Sequence, residues 1–213
     1  ALPEAVLDAR AGKVIELLLK NKERKPKIPA GMIERHLTLA REAAEQSAVL
    51  LKNEGVLPFP INEPLAVIGS FAKEPRYQGG GSSKINPIVL DCTFDCLKSA
   101  GVLVEYAAGY GRNDTVSNAE LIAEAVSLAK RHKNVALFVG LPEACESEGY
   151  DRDTMELPPA HIALIQAVLN ANPQTAVILS CGAPITMPWK ENAAAILLMY
   201  LAGCQGGAVC ANL

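Results

Sequence analysis

Between positions 143 and 153 the chain carries Glu143, Glu146, Glu148, Asp151 and Asp153 around a single basic residue, Arg152. Carboxylates held that close repel one another unless water or a cation intervenes, and the repulsion raises the proton affinity of at least one of them. A carboxyl that keeps its proton near neutral pH suits a general acid. The plainer alternative is a solvated acidic loop in which Arg152 bridges Asp151 or one of the glutamates. A second unusual stretch is Gln78-Gly79-Gly80-Gly81-Ser82-Ser83. Its glycines permit positive φ and a close approach of backbone to a ligand, and its serines offer hydroxyls and amides. It fits a ligand-lining loop or a plain surface turn. No Lys-Ser/Thr follows it and it does not open directly into a helix, as a phosphate-binding loop does. Gly109-Tyr110-Gly111 reads as an ordinary loop.

The remaining reactive side chains form no constellation. The six cysteines (Cys92, Cys96, Cys145, Cys181, Cys204 and Cys210) contain no CxxC pair and several lie in apolar runs, so they read as reduced, structural thiols. His36, His132 and His161 pair with no cysteine spacing that zinc uses. No metal is expected. Trp189, between Pro188 and a charged segment, reads as a packing residue more than a sugar platform.

The elements that must position these loops follow from periodicity. Residues 2–20 place apolar side chains near helical spacing, and the Lys/Pro-rich stretch 20–31 cannot continue a helix. Residues 32–50 form a second helical pattern that closes into Val49-Leu50-Leu51 and a turn at Asn53-Glu54-Gly55. From there short apolar runs at 65–69, 102–106, 135–140, 175–180 and 195–201 alternate with helical patterns at 90–100, 117–130, 159–170 and from about 206. Ser117 and Glu120 have the spacing of a capping box. A strand–helix alternation of this kind needs parallel strands joined by right-handed crossovers. The expected fold is α/β, a doubly wound, mostly parallel sheet flanked by helices and preceded by a helix and linker. Ligands of such sheets gather beyond the carboxyl ends of the strands, where both unusual loops fall.

Composition narrows the class of partner. The chain has 213 residues, half of them hydrophobic, and a formal net charge of -3. That balance gives no footprint for nucleic acid or an anionic membrane, so neither is expected as a partner. The longest apolar run, 193–201, is well short of the roughly 18 residues of a membrane span. The first residues lack the layout of a signal peptide; the compartment stays open, leaning to the cytoplasm.

A series of motifs resembles glycoside hydrolase family 3. It comprises Ala40-Arg41-Glu42-Ala43-Ala44-Glu45-Gln46-Ser47, Val49-Leu50-Leu51-Lys52-Asn53, Leu57-Pro58, Ala66-Val67-Ile68-Gly69 and Gly79-Gly80-Gly81-Ser82-Ser83. It continues with Glu146-Ser147-Glu148-Gly149-Tyr150-Asp151-Arg152, Leu157-Pro158, Gly182-Ala183-Pro184, Met187-Pro188-Trp189 and Tyr200-Leu201-Ala202-Gly203. The resemblance covers about residues 32–213.

Enzymes of this family, β-glucosidases among them, join a (β/α)8-type barrel to an α/β sandwich and act where the two meet. The resemblance implies that residues 32–213 are the sandwich, its C-terminal end open to truncation, and that 1–31 are the last barrel helix plus linker. The barrel strand carrying the aspartate nucleophile is not in this sequence, so the missing barrel is the implied partner and the isolated chain is expected to be inactive; with its interdomain face exposed, it is expected either to self-associate as a homo-oligomer or to be helped by the barrel. Glu148 takes the family's general acid/base role at the Glu-Gly-Tyr-Asp-Arg motif, with Glu146 as runner-up. Ser82 would touch the first sugar. Gly81 stands where some relatives place an aromatic that clamps the next sugar. Cys204 and Cys145 replace a glutamine and an aromatic of many relatives, which implies altered packing. The implied reaction is retaining hydrolysis of a terminal β-linked sugar, without a cofactor. A non-catalytic carbohydrate-binding module and a nucleotide-binding α/β domain are the competing readings; the low aromatic content, 5%, and the absent phosphate loop count against them.

Overall fold

The computed structural model describes residues 2–24 and 28–213, which form two compact units dividing between His36 and Leu37. The first is dominated by α1 (Glu4–Glu23), whose Leu7, Val14, Leu17 and Leu18 are more than half exposed. This helix runs three residues past its expected end, and positions 25–27 of the expected linker lie outside the described residues. Gly31, with φ +70°, then leads into α2 (Met32–Ser47).

The second unit is a six-stranded sheet. Its strands are β1 (Val49–Asn53), β2 (Leu65–Ile68), β3 (Val104–Ala107), β4 (Asn134–Gly140), β5 (Thr175–Ser180) and β6 (Ala195–Leu198), in the order β1-β6-β5-β4-β2-β3. β2 to β6 are mutually parallel. The connecting helices are α3 (Thr93–Ser99), α4 (Ala119–Arg131), α5 (Pro159–Ala171) and, after β6, α6 (Gly206–Asn212). The chain leaves β2 for β3 in one direction and crosses back over β2 to reach β4. Right-handed crossovers in opposite directions put their helices on opposite faces. Accordingly α3 packs with α6 and α4 with α5. The doubly wound, mostly parallel fold expected from the sequence is the one observed.

Every residue of β2 and β4 is buried, as are the first five of β5, which accounts for the unbroken apolar runs at these positions. Under the sheet's carboxyl end lies an aromatic group the sequence did not disclose. Tyr110, read there as part of a plain loop, is fully buried and donates its hydroxyl to the Phe138 carbonyl at 2.8 Å. Its ring lies 5.3 Å from Phe71, edge on, and 4.0 Å from His161. His161 is fully buried, and desolvation pushes its pKa from 6.5 down to about 3. Trp189 is buried, as its packing role requires.

Two local expectations are corrected. The helical pattern read over 32–50 stops at Ser47, and Val49–Asn53 instead forms an edge strand antiparallel to β6, with a bulge between Leu50 and Lys52. A short apolar run satisfies either periodicity, and here the free hydrogen-bonding edge of β6 decides. The start of α4 is capped by Asn118, whose side chain accepts from the amides of Glu120 and Leu121 at 3.0 and 3.2 Å. Ser117 lies one residue too early to play that part.

Candidate active site

The sheet order reverses between β2 and β4, and a crevice at the carboxyl ends of two strands that diverge in this way is where open α/β sheets hold ligands. The glycine loop leaves β2 through a 3-10 turn at Ser70–Ala72, and the acidic loop leaves β4 through another at Glu143–Cys145. The two loops stay joined beyond the sheet. Gly80 and Ser147 form a parallel β-bridge, and the Gly80 amide donates to the Glu146 carbonyl at 3.2 Å. Farther out, Lys84 Nζ meets both oxygens of Glu143, at 2.9 and 3.1 Å.

The four residues singled out from the sequence, Gly81, Ser82, Glu146 and Glu148, come together here. Gly81 has φ +92°, and a side chain on it would overlap the Cβ of Glu148. Ser82 then donates to Glu148 twice, its amide reaching Oε2 at 2.8 Å and its hydroxyl reaching the same oxygen. Glu148 is exposed, and these bonds hold its carboxyl below the usual carboxylate range. Gly149, φ +84°, turns the chain away immediately afterwards.

Glu146 is a different kind of residue. Its side chain is largely buried. Oε1 accepts from the amides of Gly182 and Ala183, both at 2.7 Å, and Oε2 accepts from Arg76 Nη2 at 3.1 Å. Both oxygens are occupied by donors that are themselves fixed in the fold. Arg76, which the sequence reading passed over, is buried too and spends its other donors on the carbonyls of Leu141 (Nε, 2.8 Å) and Gln78 (Nη1, 2.6 Å).

The crowding of carboxylates does not act as expected from the sequence. Glu143 is held below the usual range chiefly by its hydrogen bond to Lys84, and Glu148 by Ser82, so cations and donors from the glycine loop outweigh repulsion within the acidic loop. Arg152 does not bridge Asp151 or a glutamate of its loop. It donates to the Pro184 carbonyl at 2.8 Å and so ties the end of the acidic loop to the turn after β5. Besides Arg76, the sequence reading missed Lys84 and the paired amides at Gly182 and Ala183; the last pair sat inside a recognised motif without a role. Burial pushes the thiol of Cys145 up and that of Cys181 up to about 11. Among the described residues no group of three or more His, Cys, Asp or Glu side chains could hold a metal, and no helix is long and apolar enough to cross a membrane.

Comparison with known proteins agrees with this architecture. The family model described as "Glycosyl hydrolase family 3 C-terminal domain" matches residues 48–213. An "Exo-alpha-(1->6)-L-arabinopyranosidase" of Bifidobacterium longum is 42% identical over 191 residues, 84% of this chain and 25% of that protein. "Thermostable beta-glucosidase B" of Acetivibrio thermocellus is 38% identical over 213 residues, 98% of this chain and 28% of that one. The solved structure of a Bifidobacterium adolescentis GH3 beta-glucosidase superposes with TM-score 0.85 at 37% identity, covering 100% of this chain and 32% of that one. The chain therefore spans roughly a quarter to a third of the length of these proteins.

Proposed function

Because the chain belongs to glycosyl hydrolase family 3, as a C-terminal domain of that family, we propose that it is the second domain of a retaining β-glycosidase. The enzyme is β-glucosidase-like, hydrolyses terminal β-linked sugars, and draws its general acid/base, Glu148, from this domain. Residues 32–213 are the sandwich and 1–31 the end of a barrel plus its linker. The barrel supplies the aspartate nucleophile.

The observation that carries this reading is the contrast between the two glutamates. Glu148 presents its carboxylate at the exposed surface where the loops after β2 and β4 meet, held there by Ser82. Glu146 has both oxygens bound by donors inside the fold, on a side chain only 9% exposed. In the proposed reaction the aspartate attacks the anomeric carbon while Glu148 protonates the departing oxygen. Glu148 then takes a proton from the water that cleaves the glycosyl-enzyme. The two carboxyls must stand about 5 Å apart for this chemistry.

Without its partner Glu148 is held ionised, the wrong state for the first step. Covering this surface with the barrel removes water from the carboxyl and brings the negatively charged nucleophile close, and both effects raise its proton affinity. Ser82, no longer needed by an ionised Glu148, is then free to turn its hydroxyl to the sugar. The relatives named for β-glucosides and for α-L-arabinopyranosides act on rings that share an equatorial anomeric oxygen. One placement of the acid serves both, leaving sugar choice to contacts elsewhere.

The test uses a complete enzyme containing this domain. Glu148→Ala should cripple kcat/KM on cellobiose and spare kcat/KM on a dinitrophenyl glucoside, whose leaving group departs without a proton; the glycosyl-enzyme should then accumulate for want of a base, and azide should rescue turnover as a β-glycosyl azide. Equal losses on both substrates with no rescue, together with both effects in Glu146→Ala, would move the assignment to Glu146. The 213-residue chain alone should release no nitrophenol from an aryl β-glucoside, since proton transfer supplies only about 10² to 10⁴-fold acceleration.

A further inference from the structure

The side chain of Arg76 is 2% exposed, and its guanidinium reaches three separate pieces of chain. Nη1 binds the Gln78 carbonyl at the mouth of the glycine loop, Nε the Leu141 carbonyl just past β4, and Nη2 the carboxylate of Glu146 in the acidic loop. Glu146 passes the connection on to the amides of Gly182 and Ala183 after β5. One cation and one anion thus join the exits of three strands. A planar guanidinium presents its donors in fixed directions, so three bonds from it set relative position as well as proximity. Stability alone is a weak reason for such a pair, because a buried ion pair often does no better than apolar side chains of the same volume. What apolar side chains could not supply is the register between the two loops.

We propose that Arg76 is the positioning residue of this site: by locking the glycine loop, the exit of β4 and Glu146 into one register, it fixes where the Glu148 carboxylate stands. The connection to Glu148 is short on both sides. Glu146 is two residues from Glu148, and Gln78 is four residues from Ser82, the donor that holds it. The inference deepens the reading of Glu148 as acid/base and rests on it for its effect on catalysis, while the placement of the carboxylate can be measured independently.

The decisive variant is Arg76→Lys, which keeps the charge and loses the planar fork. In the 213-residue chain, carbon-detected NMR of a labelled Glu148 should show its carboxyl titrating higher than in the parent, toward an ordinary exposed glutamate, as Ser82 moves out of register. In the complete enzyme the variant should lose about 10- to 100-fold in kcat/KM on cellobiose, the scale of a misplaced catalytic group, and much less in kcat/KM on the dinitrophenyl glucoside. A purely structural Arg76 would lower the melting temperature and leave both the Glu148 titration and the ratio of the two substrates unchanged, and that result overturns the proposal. Should Arg76→Lys not fold, Glu146→Gln cuts the charged bond while an amide oxygen still accepts from Gly182 and Ala183. An unmoved Glu148 titration in that variant overturns the proposal equally. If Glu148→Ala itself fails to discriminate the substrates, the acid assignment falls, and the titration still decides the role of Arg76.

Discussion

Ser82 and Glu148, 66 residues apart in sequence, are joined by two donors that converge on one carboxylate oxygen. The backbone makes this possible by turning through the left-handed region at Gly81, just before the serine, so that amide and hydroxyl face the same way. The candidate acid is therefore held by a loop belonging to the neighbouring strand as well as by its own.

Gly81→Ala should break this arrangement, since the new methyl would overlap Glu148 and the residue would sit at φ +92°. A cost of about 1 to 3 kcal/mol is expected from the backbone alone. Gly79 has ordinary φ and open space around it, so Gly79→Ala is the matched control and should change stability little. Urea melts of both variants check the difference, and equal midpoints would show that the turn can rearrange.

The cap of α4 gives a second, local test. Asn118→Ala removes the side chain that satisfies two amides and should cost about 1 kcal/mol. Ser117→Ala should fall within about 0.5 kcal/mol of the parent, as for a surface change without a cap role. The reverse order in thermal melts would restore the capping box read from the sequence.

His161 makes stability depend on acid. The folded imidazole stays neutral down to about pH 3, whereas the ordinary group takes up a proton near 6.5. Below 6.5 the unfolded state binds the extra proton, so the contribution is complete above 6.5 and is lost as pH falls toward 3, at roughly 1.4 kcal/mol per unit. His161→Gln should be less stable at pH 7 but should lose about 2 kcal/mol less than the parent between pH 7 and 5. Parallel pH dependence in the two proteins would place the acid sensitivity elsewhere.

The inner parallel strands β2, β4, β5 and β6 were legible because burial on both faces removes polar residues from them, as in the run from Val135 to Val139, and this needs no knowledge of neighbours. β1 was not legible. Its Val49, Leu50 and Leu51 are all more than a third exposed and gain strand geometry only from β6, whose partner residues lie some 140 positions later. The site divides in the same way. Gly81, Ser82, Glu146 and Glu148 stood out by type and by their place after β2 and β4. Their joining depends on those two strands being neighbours, which the chain order β2, β3, β4 conceals. Arg76 had no local signal, since its partners Leu141 and Glu146 lie 65 and 70 residues away and nothing periodic surrounds it.

The bridge between Gly80 and Ser147 couples the lengths of two segments that look independent in sequence. A residue inserted between β2 and Gly80 would carry Ser82 past Glu148 unless the acidic loop lengthened in step. Beyond the Ser82–Glu148 and Lys84–Glu143 contacts, either loop can grow or change without that penalty. Sequence change at these loops is thereby channelled to the stretches after Ile85 and after Glu148, where the exposed side chains of Ile88, Tyr150 and Met155 already lie.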